Sequence, residues 1–223
     1  MKVSEAITGR QSIRAFDANR EVSKALIAEI LTTAGRAPSG SNIQPWQVYV
    51  LMGSAKQRMV NACVERFRAG DEGAYEYAYY PKAWRQPYIG RRRTTGFGLY
   101  GLLGIDKADA EAVQAYRVTN YQFFDAPVGL MFTIDRDMEL GSWLDYGMFI
   151  QSIMLAAREH GLETCPQAAW CTYHETVMSV LGADASQMLV CGMALGYPAA
   201  NAAINSYRTD RLVVDEFTTF LDE

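Results

Sequence analysis

The chain has 223 residues, 49% of them hydrophobic, which is enough to bury the core of one domain. Twenty-one basic against 25 acidic residues leave a net charge of −4, which argues against nucleic-acid or anionic-membrane partners. Two histidines, His160 and His174, are too few for a histidine metal site or a Ser-His-Asp triad to be expected, and Cys63, Cys165, Cys171 and Cys191 lack metal-ligand spacing and read as buried, reduced thiols.

In chain order, residues 3–8 read as a short helix that Gly9 ends in the left-handed conformation. Arg10-Gln11-Ser12-Ile13-Arg14 follows. In an extended segment, period two puts Arg10, Ser12 and Arg14 on one side. Two forked guanidiniums bracketing a hydroxyl suit a phosphate, although arginine-rich turns also abound on surfaces. Ser23 caps a helix whose apolar face is Leu26, Ile27, Ile30, Leu31 and Ala34. Residues 37–47, APSGSNIQPWQ, then join this helix to the first strand, 46–52. Two prolines stiffen the loop, Gly40 permits a bend, and two hydroxyls and three carboxamides lie between. It reads as either an ordinary capped turn or, followed by an aromatic, the rim of a site for a flat heteroaromatic ligand.

A helix from Ser54 to about residue 69 leads to a Tyr/Pro/Trp/Arg/Gly-rich excursion at about 70–104. Such a segment reads as a surface extension with solvated arginines or as a ligand entrance. Within it, residues 96–101 match GxGxxG, but arginines and threonines precede them instead of an apolar strand, so the dinucleotide fingerprint is rejected. A helix is expected at 107–124, a second strand at 128–134, and a helix at 142–157 that is apolar on nearly every face. Burial of that helix on all sides implies that another subunit forms part of its wall. Gly161 ends it, residues 161–170 turn back, and a third strand runs over 188–195, where Gly192 marks close packing or a bulge. Asn205, Arg208 and Arg211 precede an apolar-studded end at 212–221. The first residues carry no apolar signal core and no segment is long and apolar enough to span a bilayer, so a cytoplasmic protein is expected.

Several of these patterns occur in a common order: Arg10-x-Ser12-x-Arg14, Pro38-Ser39-x-x-Asn42-x-Gln44-Pro45-Trp46, Asp145-x-Gly147 with Gln151, Cys165-Pro166-Gln167, Gly192-x-x-x-Gly196-Tyr197-Pro198, and a late arginine. In that order they resemble the FMN-dependent nitroreductase family, and the aromatic-basic excursion resembles its branch acting on nitrobenzoates and related nitroaromatics. The resemblance implies an α+β fold over residues 1–223, with a small, mostly antiparallel sheet between helices. It implies a homodimer with FMN at the interface and a C-terminal segment extending the partner's sheet. It implies that Arg10, Gln11, Ser12, Arg208 and Arg211 hold the phosphate end, with Arg14 at the pyrimidine edge of the flavin. Pro38, Ser39, Gly40, Asn42 and Gln44 would reach in from the other subunit, and Pro166, Gln167, Ala168 and Ala169 would meet N5 and O4.

Two positions depart from the pattern. Ala168 and Ala169 stand where some relatives have Glu-Gly, and Thr209 stands where others have lysine. The implied reaction is ping-pong transfer from NADH or NADPH to a nitroaromatic compound, towards the hydroxylamine, with no catalytic side chain required. Tyr88 and Arg91, Arg92 and Arg93 are candidates for substrate contact, an arginine fork matching a benzoate carboxylate. Reduction of a quinone, an enone or a carbon–halogen bond on the same scaffold, or flavin binding without turnover, are the rival readings.

Overall fold

The computed structural model describes residues 1–222. Helices α1 (Val3–Gly9) and α2 (Lys24–Ala34) precede strand β1 (Gln47–Leu51). Helices α3 (Gly53–Arg68), α4 (Tyr88–Leu103) and α5 (Ala110–Val118) lead to β2 (Val128–Asp135). Then come α6 (Leu140–Glu159), β3 (Glu163–Gln167), α7 (His174–Leu181) and β4 (Gln187–Gly196). The sheet has the order β1-β2-β4-β3 with every pair antiparallel, and the helices around it make an α+β fold. Residues 128–134 of β2 and nearly all of β4 are buried, as central strands covered on both faces must be.

The three expected strands are present, and β3 is a fourth where a turn was expected. Pro166 lies within it, paired with Met193, and proline is tolerated because β3 is an edge strand. The helix expected over 107–124 is shorter. Asp109 caps α5, its Oδ1 accepting from Ala112 N–H at 2.9 Å, and a 3₁₀ stretch, Thr119–Asp125, takes over. There Phe123 and Phe124 adopt φ values of 54° and 51°, which turn both rings into the core. The second half of the excursion is helical: the GxGxxG residues lie inside α4, where Gly98 lets the Tyr207 ring pack against the helix backbone. Helix α7 has no counterpart among the expected elements.

Glycine roles also shift. Gly161 takes φ 70° just beyond α6, as a helix-ending glycine does. Gly9 does not take the left-handed conformation; it is small because the Arg158 guanidinium lies where a Cβ would be. Gly192 meets the Trp170 ring in the same way, whereas the β4 bulge is at Val190, between Leu189 and Cys191.

Helix α6 is buried along Tyr146, Phe149, Ile153 and Ala157, but not all round: Leu144 is 70% exposed, with Leu140 and Gly147 on the open side. The C-terminal segment makes a single 3₁₀ turn, Val214–Glu216, and Val213, Phe217 and Phe220 remain exposed, the last at 73%. All four cysteines are free and buried, as expected. No helix among the described residues is long and apolar enough to cross a membrane.

Candidate active site

The N-terminal and C-terminal parts of the chain enclose a cleft of about 450 Å³. Arg10, Gln11, Ser12 and Arg14 form one wall, and Tyr207, Arg208, Thr209 and Arg211 the facing one; Ile7, Thr8 and Thr95 of α4 close the sides. Four guanidiniums therefore share one cleft in which, among the described residues, there is no carboxylate and no histidine. Burial, and then the charge of Arg211, hold the Arg10 guanidinium below its ordinary pKa, with nearby Glu163 opposing both. Mutually repelling arginines of this kind are best satisfied by an anion with several acceptor oxygens.

The 10–14 segment follows its alternation at Arg10, Ser12, Ile13 and Arg14, while Gln11 joins the cleft wall against it. Ile13 is 1% exposed and points into the core, while Arg10, Ser12 and Arg14 face the cleft. Ser12 bridges Thr164 in parallel fashion and Ile13 N–H donates to Thr164 O at 3.1 Å, so the segment runs along the free edge of β3. Burial pushes the Cys165 thiol of β3 up to about 11, against the opposing influence of Arg14, Ser12 and Arg10. That thiol therefore lies beneath the cradle as an uncharged packing group.

The facing wall depends on a residue that departs from the family pattern. Arg211 Nη1 donates to Thr209 Oγ1 at 2.6 Å and to Thr209 O at 3.1 Å, so Thr209 orients a guanidinium instead of supplying a charge. Arg208 Nη1 donates to Gly9 O at 3.1 Å, a carbonyl that also accepts from Arg158 at 2.8 Å. The side chain of Gln11 gives its Nε2 to Asn205 O at 2.9 Å, leaving its buried Oε1 with no partner among the described residues. Asn205 itself has no motif in the sequence; only its long-range hydrogen bonds reveal it.

The polar loop lies elsewhere. Pro38, Ser39, Gly40, Asn42 and Gln44 do not line the arginine cleft, and residues 40–44 are exposed. The bend is made by Ser41, Asn42 and Gln44, at φ 49°, 58° and 49°, and not by Gly40. Gly40 instead donates its N–H to Oδ2 of buried Asp145 on α6 at 3.0 Å. Left-handed non-glycine residues each cost on the order of 1–3 kcal/mol and persist only where their surroundings over-determine them. Here Ser39 Oγ accepts from Gln44 N–H at 3.0 Å, and Gln44 Nε2 donates to Asn42 O at 3.1 Å. Trp46 is not at a ligand rim: it stacks on Phe149 at 4.6 Å with planes 6° apart, anchoring the loop in the core.

Past β3, the chain enters the 3₁₀ turn Ala168–Thr172. The N–H groups of Ala168 and Ala169 open that turn and have no carbonyl partner within it. Gln167 is committed to structure: its Nε2 donates to Asn120 O at 2.7 Å and its Oε1 accepts from Trp170 Nε1–H at 3.3 Å. The Gln167 side chain is therefore engaged in the fold, and residues 166–169 do not line the arginine cleft. Tyr88, Arg91, Arg92 and Arg93 are exposed on α4 and do not line the cleft; α4 contributes Thr95. Arg92 lies over Trp84 at 4.7 Å and Arg91 over Tyr88 at 5.8 Å, cation–π contacts that occupy both guanidiniums at the surface.

Residues 7–197 match the model of the nitroreductase family. The chain belongs to that family. It is 39% identical over 222 residues to a chloronitrobenzene nitroreductase from Comamonas testosteroni, covering 99% of this chain and 97% of the relative. To a 4-nitrobenzoate reductase from Pseudomonas putida it is 40% identical over 215 residues, covering 96% and 93%. Among solved structures it is similar to the FMN- and NADPH-dependent nitroreductase NfnB from Sphigopyxis sp. strain HMH, with TM-score 0.96, 39% identity and 100% of both chains covered. The donor set of the cleft fits the phosphate of FMN: permanent cations with a hydroxyl between them.

Proposed function

We propose that residues 1–223 form one FMN-binding unit that reduces nitroaromatic compounds towards the hydroxylamine at the expense of NADH or NADPH, by a ping-pong scheme. The observation that carries this reading is the four-arginine cleft assembled from both ends of a chain of this family. Arg10, Ser12, Arg208 and Arg211 hold the phosphate, with Gln11 beside them in the same wall. Arg14, its Nη1 donating to Ser12 O at 3.2 Å, keeps a permanent positive charge for the pyrimidine edge. Ala168 and Ala169 offer N–H groups to N5 and O4. When bound, FMN supplies the two-electron transfer between donor and nitro group.

Two exposed surfaces support a homodimer: the open side of α6 around Leu144 and the apolar C-terminal segment. In that assembly Pro38, Ser39, Gly40, Asn42 and Gln44 reach the partner's cleft, and the C-terminal segment extends the partner's sheet. Four buried, reduced cysteines suit the cytoplasm. The decisive experiment is anaerobic. A yellow, dimeric preparation bleaches with NADH or NADPH and regains its colour on adding 4-nitrobenzoate or nitrobenzene. A preparation that retains no flavin, or whose colour does not return with either nitroarene, overturns the reading.

A further inference from the structure

The two walls of the arginine cleft come from segments about 190 residues apart, and one side chain joins them. Asn205 lies in a 3₁₀ turn, Ala203–Ser206, between the end of β4 and Arg208. Its Oδ1 accepts from Arg14 N–H at 3.0 Å and Ala15 N–H at 3.2 Å, and its Nδ2 donates to Ala15 O at 2.8 Å. Two N–H groups at one end and a carbonyl at the other leave the amide a single orientation. Its own carbonyl accepts from Gln11 Nε2. The backbones are already aligned nearby: Ala199 N–H donates to Ala15 O at 3.0 Å and Asp17 N–H to Tyr197 O at 2.9 Å. Asn205 is thus the last clamp before the chain turns into Arg208 and Arg211, and it grips the backbone of Arg14 directly.

Resting on the FMN reading above, we propose that Asn205 is a positioning residue that sets the spacing between Arg10–Arg14 and Arg208–Arg211, so that both walls engage one ligand. The guanidiniums of the two walls repel one another, and the Asn205 side chain is the contact that fixes the C-terminal wall to the backbone of Arg14 against that repulsion. An aliphatic residue cannot replace it: the N–H groups of Arg14 and Ala15 share Asn205 Oδ1 as acceptor and would lose it together. Chain position alone gives no hint of this role, because asparagine here reads as an ordinary turn residue.

The test is a double-mutant cycle on FMN binding, read by quenching of flavin fluorescence when FMN is titrated into protein stripped of flavin. Arg211→Ala is expected to raise the FMN Kd about ten- to hundredfold in the otherwise unchanged chain. In the Asn205→Ala background the same change is expected to raise it less than about threefold, because Arg211 no longer faces the other wall at the right distance. Equal factors in both backgrounds overturn the proposal, since a general loss of stability does not remove the Arg211 contribution selectively. Thermal unfolding without flavin verifies that each variant is folded. Should Asn205→Ala not fold, Asn205→Ser, too short to reach both N–H groups, takes its place with the same two results. Failure of the unchanged chain to prefer FMN over riboflavin would instead overturn the FMN reading itself.

Discussion

Residues 10–15 and residues 38–44 are both short, polar and flanked by helix, yet the chain completes only the first. The 10–15 segment is tied on every side within its own subunit: to β3 through Thr164, to the core through Ile13, and to the C-terminal part through Asn205. The 38–44 loop is held from behind, by Asp145 and its own side chains, and presents left-handed residues to the outside. A binding segment finished by internal hydrogen bonds builds a site by itself. A strained, outward-facing loop with rigid anchoring leaves its polar groups at the surface, which is the feature the proposed homodimer would use.

The sharpest way to break the comparison is at the finished wall. Arg211→Ala should raise the Kd for FMN about ten- to hundredfold while leaving riboflavin, which has no phosphate, nearly unaffected. Equal losses for both ligands in equilibrium titrations would place Arg211 away from the phosphate. At the presented loop, Asp145→Ala leaves Gly40 N–H without its charged acceptor. It should weaken flavin retention about tenfold, for FMN and riboflavin alike, because the loop and not the phosphate site is disturbed. A phosphate-selective loss at Asp145 would erase the distinction between the two regions.

A smaller effect tests the electrostatics beside the cleft. Burial raises the Glu163 carboxyl above its ordinary 4.5, opposed by Arg158 and, more weakly, by Arg208 and Arg10. The folded chain then binds more protons than the unfolded chain just above pH 4.5, so this contribution to stability declines as pH rises through the folded-state pKa. Glu163→Gln should flatten that decline in thermal unfolding measured across pH 4 to about 7; an unchanged slope would show that Glu163 is not its source. The smallest expected effect is at α4. Arg91→Ala, Arg92→Ala and Arg93→Ala should each change kcat/KM by less than about twofold, on 4-nitrobenzoate and nitrobenzene alike, since all three are exposed outside the cleft. A selective rise in KM for the benzoate in any one of them would make that arginine part of the substrate pocket.

Much of the architecture is carried by local pattern. Ser23 before an apolar face, the β-branched runs of β1 and β2, and the alternation of Ile13 against Arg10, Ser12 and Arg14 each encode their own conformation and burial. The family motifs also mark Arg10, Ser12 and Arg211 as a set, because each is a residue type whose chemistry suits an anion. What local pattern does not encode is partnership. Pro166 and its small neighbours look like a turn until β4 offers an edge that accepts proline, and the glycines of α4 look like a loop until Tyr207 packs against Gly98. Gln167 reads as a ligand contact until Asn120 and Trp170 occupy both ends of its amide. Asn205 reads as an ordinary polar residue ahead of Arg208 and Arg211 until folding places it beside Arg14. The sequence by itself determined α1, α2, α3 and α6, the core strands β1, β2 and β4, and the ionic character of the site, since those follow from the periodicity and chemistry of neighbouring residues. Only the tertiary structure decided which polar side chains are free for a ligand and which are used up, because a hydrogen bond between residues about 190 positions apart exists only once the intervening chain has folded.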